Sequence, residues 1–153
     1  MGKNGKTISS ILTEDMKTAL KGGEKERLSV LRMLLSELKY ARIAAGEELS
    51  VPEEEKVLSS YAKKRQDSIE KYRDGGRPEL AEKEEREYQI TVSYLPEQLA
   101  EAELKDIVKT AIAELGAGGK KDFGRVMKAV METVGSRAEG GTVSAILREM
   151  LDG

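Results

Sequence analysis

Residues 25–45 read KERLSVLRMLLSELKYARIAA, and this stretch decides the fold. Leu28, Leu31, Leu34, Leu35, Leu38 and Ala41 recur at the three- and four-residue spacing of one helix face. Val30, Met33 and Ile43 widen the apolar arc, which predicts a helix at the centre of its domain. Gly22-Gly23 precede the stretch and Gly46 follows it. Glycine tolerates the left-handed backbone with which many helices end.

The same reading extends in both directions. Ile8, Ile11, Leu12, Met16, Ala19 and Leu20 mark a helix over about Thr7 to Lys21. After Gly46, Ser50, Pro52 and Glu53 form a capping-box start. Val57, Leu58, Tyr61, Ile69 and Tyr72 then carry a thin stripe to about Asp74. A fourth helix opens at Pro78 and runs to about Tyr94, with Leu80, Tyr88, Thr91, Val92 and Leu95 as its stripe. Leu95-Pro96 breaks the pattern, because a residue before proline avoids the helical region. Three shorter helices follow, over about Glu101 to Leu115, Phe123 to Val134 and Val143 to Leu151. Asp122 and Thr142 are the expected caps of the last two. Segments this short are marginal alone and must pack on one another. No strand-period alternation and no internal repeat occurs. The expectation is an all-α protein, with a helical domain of about four helices over residues 1–95 and a small three-helix bundle over 96–153.

Composition narrows the chemistry. The chain of 153 residues contains neither Cys nor His. Disulfides, thiolate catalysis and a Ser-His-Asp triad are thereby excluded, and the commonest zinc ligand is missing. With no Trp and one Phe, the core must be aliphatic. A net charge of −2 argues against a generic polyanion binder, and no DNA partner is expected. No apolar run reaches the roughly 18 residues of a membrane span. The opening MGKNGKTISS has no hydrophobic signal core, and Lys6 stands where a myristoylation motif needs Ser or Thr. The expected location is the cytoplasm, with no membrane partner.

Charge is segregated within the C-terminal part. Glu97 to Leu115 carries a net −3, whereas Gly116 to Arg148 carries +3 from six basic and three acidic residues. The six are Lys120, Lys121, Arg125, Lys128, Arg137 and Arg148. Lys121, Arg125 and Lys128 share one helix face by spacing. Gly118-Gly119 and Gly140-Gly141 stand before helices, where free N–H groups receive phosphate. Such a surface suits the backbone of structured RNA, and an ordinary solvated helix face is the plainer reading.

The N-terminal part has a polar set of its own: Arg27, Ser29, Arg32, Lys64, Arg65, Asp67 and Ser68. Arg32 lies between apolar neighbours, which predicts partial burial and a bridge to Asp67 linking the second and third helices. An anion pocket built from the same residues is the functional alternative. Glu82, Glu84, Glu85 and Glu87 are interspersed with Lys83 and Arg86, as on a solvated face, and do not form a magnesium site. Tyr61, Tyr72, Tyr88 and Tyr94 are expected to pack with hydroxyls at the rim, and are not interleaved with basic residues as a base-stacking platform needs. No phosphate loop, metal-ligand set or nucleophile with a base partner is found, so neither catalytic residue nor cofactor is expected.

Five stretches in register resemble the GatB/YqeY family. They are Arg27 to Met33, Lys64 to Glu70, Tyr94 to Leu99, Gly124 to Met127 and Gly135 to Gly140, and the similarity runs from Leu12 to Leu151. The departures are Ala100, where the family favours a capping serine, and Phe123, where it often has Met. One branch of the family is a set of small stand-alone bacterial proteins. The other is the B subunit of the amidotransferase acting on misacylated Glu-tRNA(Gln) or Asp-tRNA(Asn), whose helical tail contacts tRNA and is similar to Pro96 to Leu151. The catalytic cradle of that subunit has no counterpart here. The resemblance implies a non-catalytic accessory protein that binds tRNA through the C-terminal domain and is linked to tRNA-dependent amidation. Its implied partners are tRNA and an amidotransferase or aminoacyl-tRNA enzyme. The first alternative is a protein–protein interaction module using the charged N-terminal helices, marked by an exposed apolar strip on the third or fourth. The last is a component of a carbon–nitrogen ligase with glutamine as amido-N-donor.

Overall fold

The computed structural model describes residues 6–152. The expectation that the opening residues carry no signal core rests partly on Met1 to Gly5, which lie outside that range. Seven α-helices and two short 3₁₀ turns make up the described chain, which contains no strand. It divides into two compact units at Leu95–Pro96.

The first unit contains α1 (Ile8–Lys21), α2 (Lys25–Ala45), α3 (Val51–Asp74) and α4 (Pro78–Val92). Helix α1 pairs with α2 and α3 with α4, while α2 also packs on α3 and α4. Leu12, Leu31, Leu34 and Leu58 are fully buried where the helices meet. Each buried leucine contributes about 1.5–3 kcal/mol relative to exposure. Thr7 caps α1 by accepting from the Ser10 N–H at 3.1 Å. At the start of α3, Ser50 Oγ accepts from the Glu53 N–H, and a Glu53 carboxylate oxygen accepts from the Ser50 N–H. Gly46 closes α2 with φ 74°, a conformation a side chain would strain.

Helix α2 is not buried all round. Met33 is 46% exposed and Ile43 64%, with Tyr40 at 66% beside them. The buried stripe is the narrower one through Leu28, Leu31, Leu34 and Leu38. Helix α4 ends at Val92, and tighter turns carry the chain on through Tyr94 and Leu95.

The second unit contains α5 (Glu101–Leu115), α6 (Phe123–Val134) and α7 (Gly140–Asp152), each packed on the other two. Val108, Val126, Val130, Val143 and Leu147 are fully buried at its centre. The segment after Pro96 is pinned by Leu99 N–H to Arg137 O at 2.8 Å and by Gln98 Nε2 to Ser136 O at 2.9 Å. Helix α7 starts at Gly140, earlier than Val143, so Thr142 lies inside its first turn and is not the cap. Glycine costs a helix most in its interior; the N–H groups of a first turn have no helical partner in any case.

Candidate nucleic-acid interface

The chain between α5 and α6 shows how the basic surface is built. A single 3₁₀ turn, Lys120–Asp122, leads into α6. Asp122 stands at the start of that helix, yet its carboxylate does not cap it. It accepts from the Gly118 N–H at 3.0 Å and from Arg125 Nη2 at 3.0 Å. The bond from Gly118, with the Arg125 and Lys121 charges, holds its pKa below the usual carboxylate range. The Gly118 N–H is therefore occupied by a carboxylate and does not await a phosphate. Gly140 and Gly141 lie inside α7, so they form no separate loop before it.

Lys121, Arg125 and Lys128 are exposed. Arg125 shares its guanidinium with Asp122, with about half its side chain open to solvent. A pair at a solvent-exposed surface is weak, and the guanidinium exchanges readily to a phosphate oxygen. Arg137 is occupied differently. Its Nη2 donates to Thr133 O at 3.0 Å and its Nε to Val134 O at 3.4 Å. A cation on the last carbonyls of α6 complements the negative end of the helix dipole. Arg148 lies over the Phe123 ring, 5.5 Å from its centroid. Lys120, Phe123, Arg148 and Leu151 line a recess of about 270 Å³. The ring is half-buried at this rim, with its inner side packed on the core of the unit. One clue was available: the chain's one Phe is flanked by Lys121 and Arg125 in sequence.

The N-terminal polar set separates into structural pairs. Arg32 and Asp67 are both exposed, and no ion pair joins them among the described residues. Arg32 sits one residue past Leu31, about 100° around the helix from the buried stripe. Ser29 and Lys64 are also exposed, and Ser68 is half-buried. Arg27 instead donates to the Tyr94 hydroxyl at 3.0 Å, which donates to an Asp15 carboxylate oxygen at 2.6 Å. Burial, followed by the bond to Asp15, pushes the Tyr94 pKa far above the ordinary value. Arg65 pairs with Glu84 at 3.2 Å and stacks 4.8 Å from the Tyr61 ring centroid. Tyr61 is thus buried, with a guanidinium covering it.

The carboxylate run of α4 is divided as well. Glu82 is exposed, Glu84 and Glu85 pair with Arg65 and Arg73, and Glu87 is half-buried. A recess of about 390 Å³ beside them holds Arg73, Glu82, Glu85 and Arg86. Its two cations are paired, Arg73 with Glu85 and Arg86 with Glu26.

The sequence reading missed Glu54. It is 2% exposed and accepts from Ile8 N–H at 3.0 Å, Ser9 N–H at 3.0 Å and Ser9 Oγ at 2.8 Å. A buried carboxylate thus seals the N-terminus of α1 onto α3. Its signal was its place four residues before Leu58, on the apolar stripe itself.

Fold and site together define an all-helical protein of two units with a run of exposed cations on the second. The pattern of the YqeY family, described as Yqey-like protein, matches residues 9–151, and the chain belongs to that family. A relative in Schizosaccharomyces pombe, named only as an uncharacterized protein, is 31% identical over 90 residues. That match covers 59% of this chain and 73% of the relative. The altered inheritance of mitochondria protein 41, mitochondrial, of Pyrenophora tritici-repentis is 29% identical over 129 residues, covering 83% of this chain and 71% of that protein. Among the described residues no helix is long and apolar enough to cross a membrane.

Proposed function

We propose that the chain is a non-catalytic accessory factor that binds tRNA through its C-terminal unit, in the service of tRNA-dependent amidation and beside translation in the cytoplasm. The observation that carries this reading is the exposed set Lys121, Arg125 and Lys128, at spacings of four and three over the 3₁₀ turn and α6. None of the three is used by the core of the unit. Cations so placed read the phosphate backbone by shape, without a base code. The amidotransferase or aminoacyl-tRNA enzyme it serves is the corresponding protein partner.

Titration with total tRNA at low and moderate salt tests this, with a variant carrying Lys121→Gln, Arg125→Gln and Lys128→Gln alongside. Loss of three phosphate contacts reduces the slope of log affinity against log salt by about 2–3. Equal binding by parent and variant, or no preference for tRNA over duplex DNA, would defeat the proposal.

The second reading is a protein–protein interaction module, favoured by the exposed Met33, Tyr40 and Ile43 on α2. This strip is on α2, not on α3 or α4. A place within a carbon–nitrogen ligase complex using glutamine as amide donor ranks third and rests on the family resemblance alone.

A further inference from the structure

We propose that the recess between the start of α6 and the end of α7 receives one unpaired nucleobase of an RNA strand, stacked on Phe123 and covered by Arg148. The inference rests on the RNA-binding reading and deepens it, adding a contact to a base where that reading has contacts only to phosphates.

Three observations converge on the recess. Phe123 is the chain's one Phe, and it is half-buried at the rim in a unit whose centre is filled by Val and Leu. Its ring is open enough for the planar Arg148 guanidinium to lie 5.5 Å from the centroid. A guanidinium and a nucleobase are both flat and delocalised, and both stack on aromatic faces. Arg148 is exposed, so its long stem can swing out and close over an incoming base. The walls have mixed character, with Phe123 and Leu151 apolar and Lys120 and Arg148 cationic. That combination fits a π-system carrying a phosphate, and suits a bare anion or a plain hydrocarbon less well.

Size limits the occupant. Pockets for drug-sized ligands run from about 300 to 1,000 Å³. At about 270 Å³ this recess suits a single ring system. A duplex keeps its base faces stacked, so only an unpaired nucleotide presents one. Lys121, exposed and next in sequence to Lys120 of the lining, is the cation this inference assigns to the adjoining phosphate.

The test uses the full chain with two probes, a short oligoribonucleotide containing 2-aminopurine and a blunt RNA duplex of equal length. The expected result is tighter binding of the unpaired strand, with the aminopurine fluorescence quenched by stacking. Phe123→Leu retains an apolar side chain in the same place and should weaken strand binding roughly tenfold and abolish the quench. Arg148→Gln, at an exposed position, should weaken it severalfold with unchanged thermal unfolding, which keeps the test decisive if Phe123→Leu perturbs folding. Equal affinity for strand and duplex, or a quench unaltered in both variants, overturns the inference. If tRNA binds and depends on Lys121, Arg125 and Lys128 while neither substitution in the recess matters, the recess is refuted and the tRNA reading stands. If strand binding depends on Phe123 while tRNA binding ignores the three cations, the recess stands and that reading falls.

Discussion

The two units fill their interiors differently. Among the described residues the buried polar side chains are Glu54 and Thr91, and both belong to the N-terminal unit. That unit also ties its helices with the Arg27–Tyr94–Asp15 chain and the Arg65–Glu84 pair. The buried residues of the C-terminal unit are Leu, Val, Ile and Ala alone. A cation in the first unit is therefore read first as part of the packing, as Arg27 and Arg65 show. In the second, Arg137 sits on the end of α6, Arg125 pairs with Asp122 and Arg148 lies over Phe123, but no charged side chain is buried among its described residues. This contrast directs the functional argument to α6 and α7.

The strongest attempt to break the contrast is Glu54→Ala. It strands two backbone N–H groups and a hydroxyl in a buried site and opens a small cavity. Hydrogen bonds to a charged group are worth about 1.5–3 kcal/mol, and unsatisfied buried donors add to the loss. We expect about 3 kcal/mol less stability in urea unfolding, with amide-exchange protection lost in α1 and retained in α5 to α7. A loss below about 1 kcal/mol would show that water replaces the carboxylate and that the polar interior is incidental.

Tyr94→Phe is the next largest, at about 1 kcal/mol near neutral pH. Its pH dependence has a definite sign. Burial and the bond to Asp15 raise the Tyr94 pKa in the folded chain, so the phenol stays protonated there. The unfolded tyrosine ionises near 10. The stabilisation is complete below that pH and declines above it. The parent should therefore lose stability more steeply than Tyr94→Phe above about pH 10. Tyr61, raised by burial, and Lys105, raised by its bond to Glu101, contribute slope that remains in the variant. Parallel curves would remove Tyr94 from the account.

Much of the fold was legible because helix period, glycine and proline are local signals. The Ser50 capping box and the Leu28–Leu31–Leu34–Leu38 stripe need no knowledge of the rest of the chain. Partner choice is not local. Arg32 looked buried from its neighbours Leu31 and Met33, but Met33 is itself exposed, and one step along a helix moves a side chain through about 100°. Arg65 found Glu84 across the α3–α4 contact, a pairing fixed by the register of two helices that no sequence spacing reveals. Asp122 had the right position for a cap, yet the Gly118 N–H and Arg125 captured its carboxylate. The basic residues of the C-terminal unit were legible as a group, whereas the sharing of Arg125 with Asp122, of Arg148 with Phe123 and of Arg137 with the α6 carbonyls was not.

Ala100→Ser sharpens the contrast from the other unit. Glu103 already accepts from the Ala100 N–H at 3.1 Å, which is half of a capping box. Alanine has no oxygen to return the bond. Serine completes the box at an extended backbone position, φ −68° and ψ 153°, where N-caps normally sit. We expect a gain of about 0.5–1 kcal/mol confined to the C-terminal unit, read as slower amide exchange in α5. No gain would mean that water serves this helix end as well as a hydroxyl does.

Glu87→Gln has the smallest expected effect and tests whether every charge tucked into the first unit stabilises it. Glu87 is half-buried on α4, and its pKa is raised by desolvation first and by the Glu84 charge second, against a partial offset from Arg65. A carboxyl whose folded pKa exceeds its unfolded one favours the fold while protonated, below the unfolded value. That contribution disappears as pH rises through the folded value. At neutral pH the ionised Glu87 is thus a cost, in contrast to Glu54, whose carboxylate is fully used. Glutamine removes the charge and should stabilise the chain by a few tenths of a kcal/mol at pH 7 after solvent screening. Near pH 4 the advantage should vanish as Glu87 protonates. Destabilisation at pH 7 would mean that the attraction of Arg65 outweighs the desolvation and repulsion.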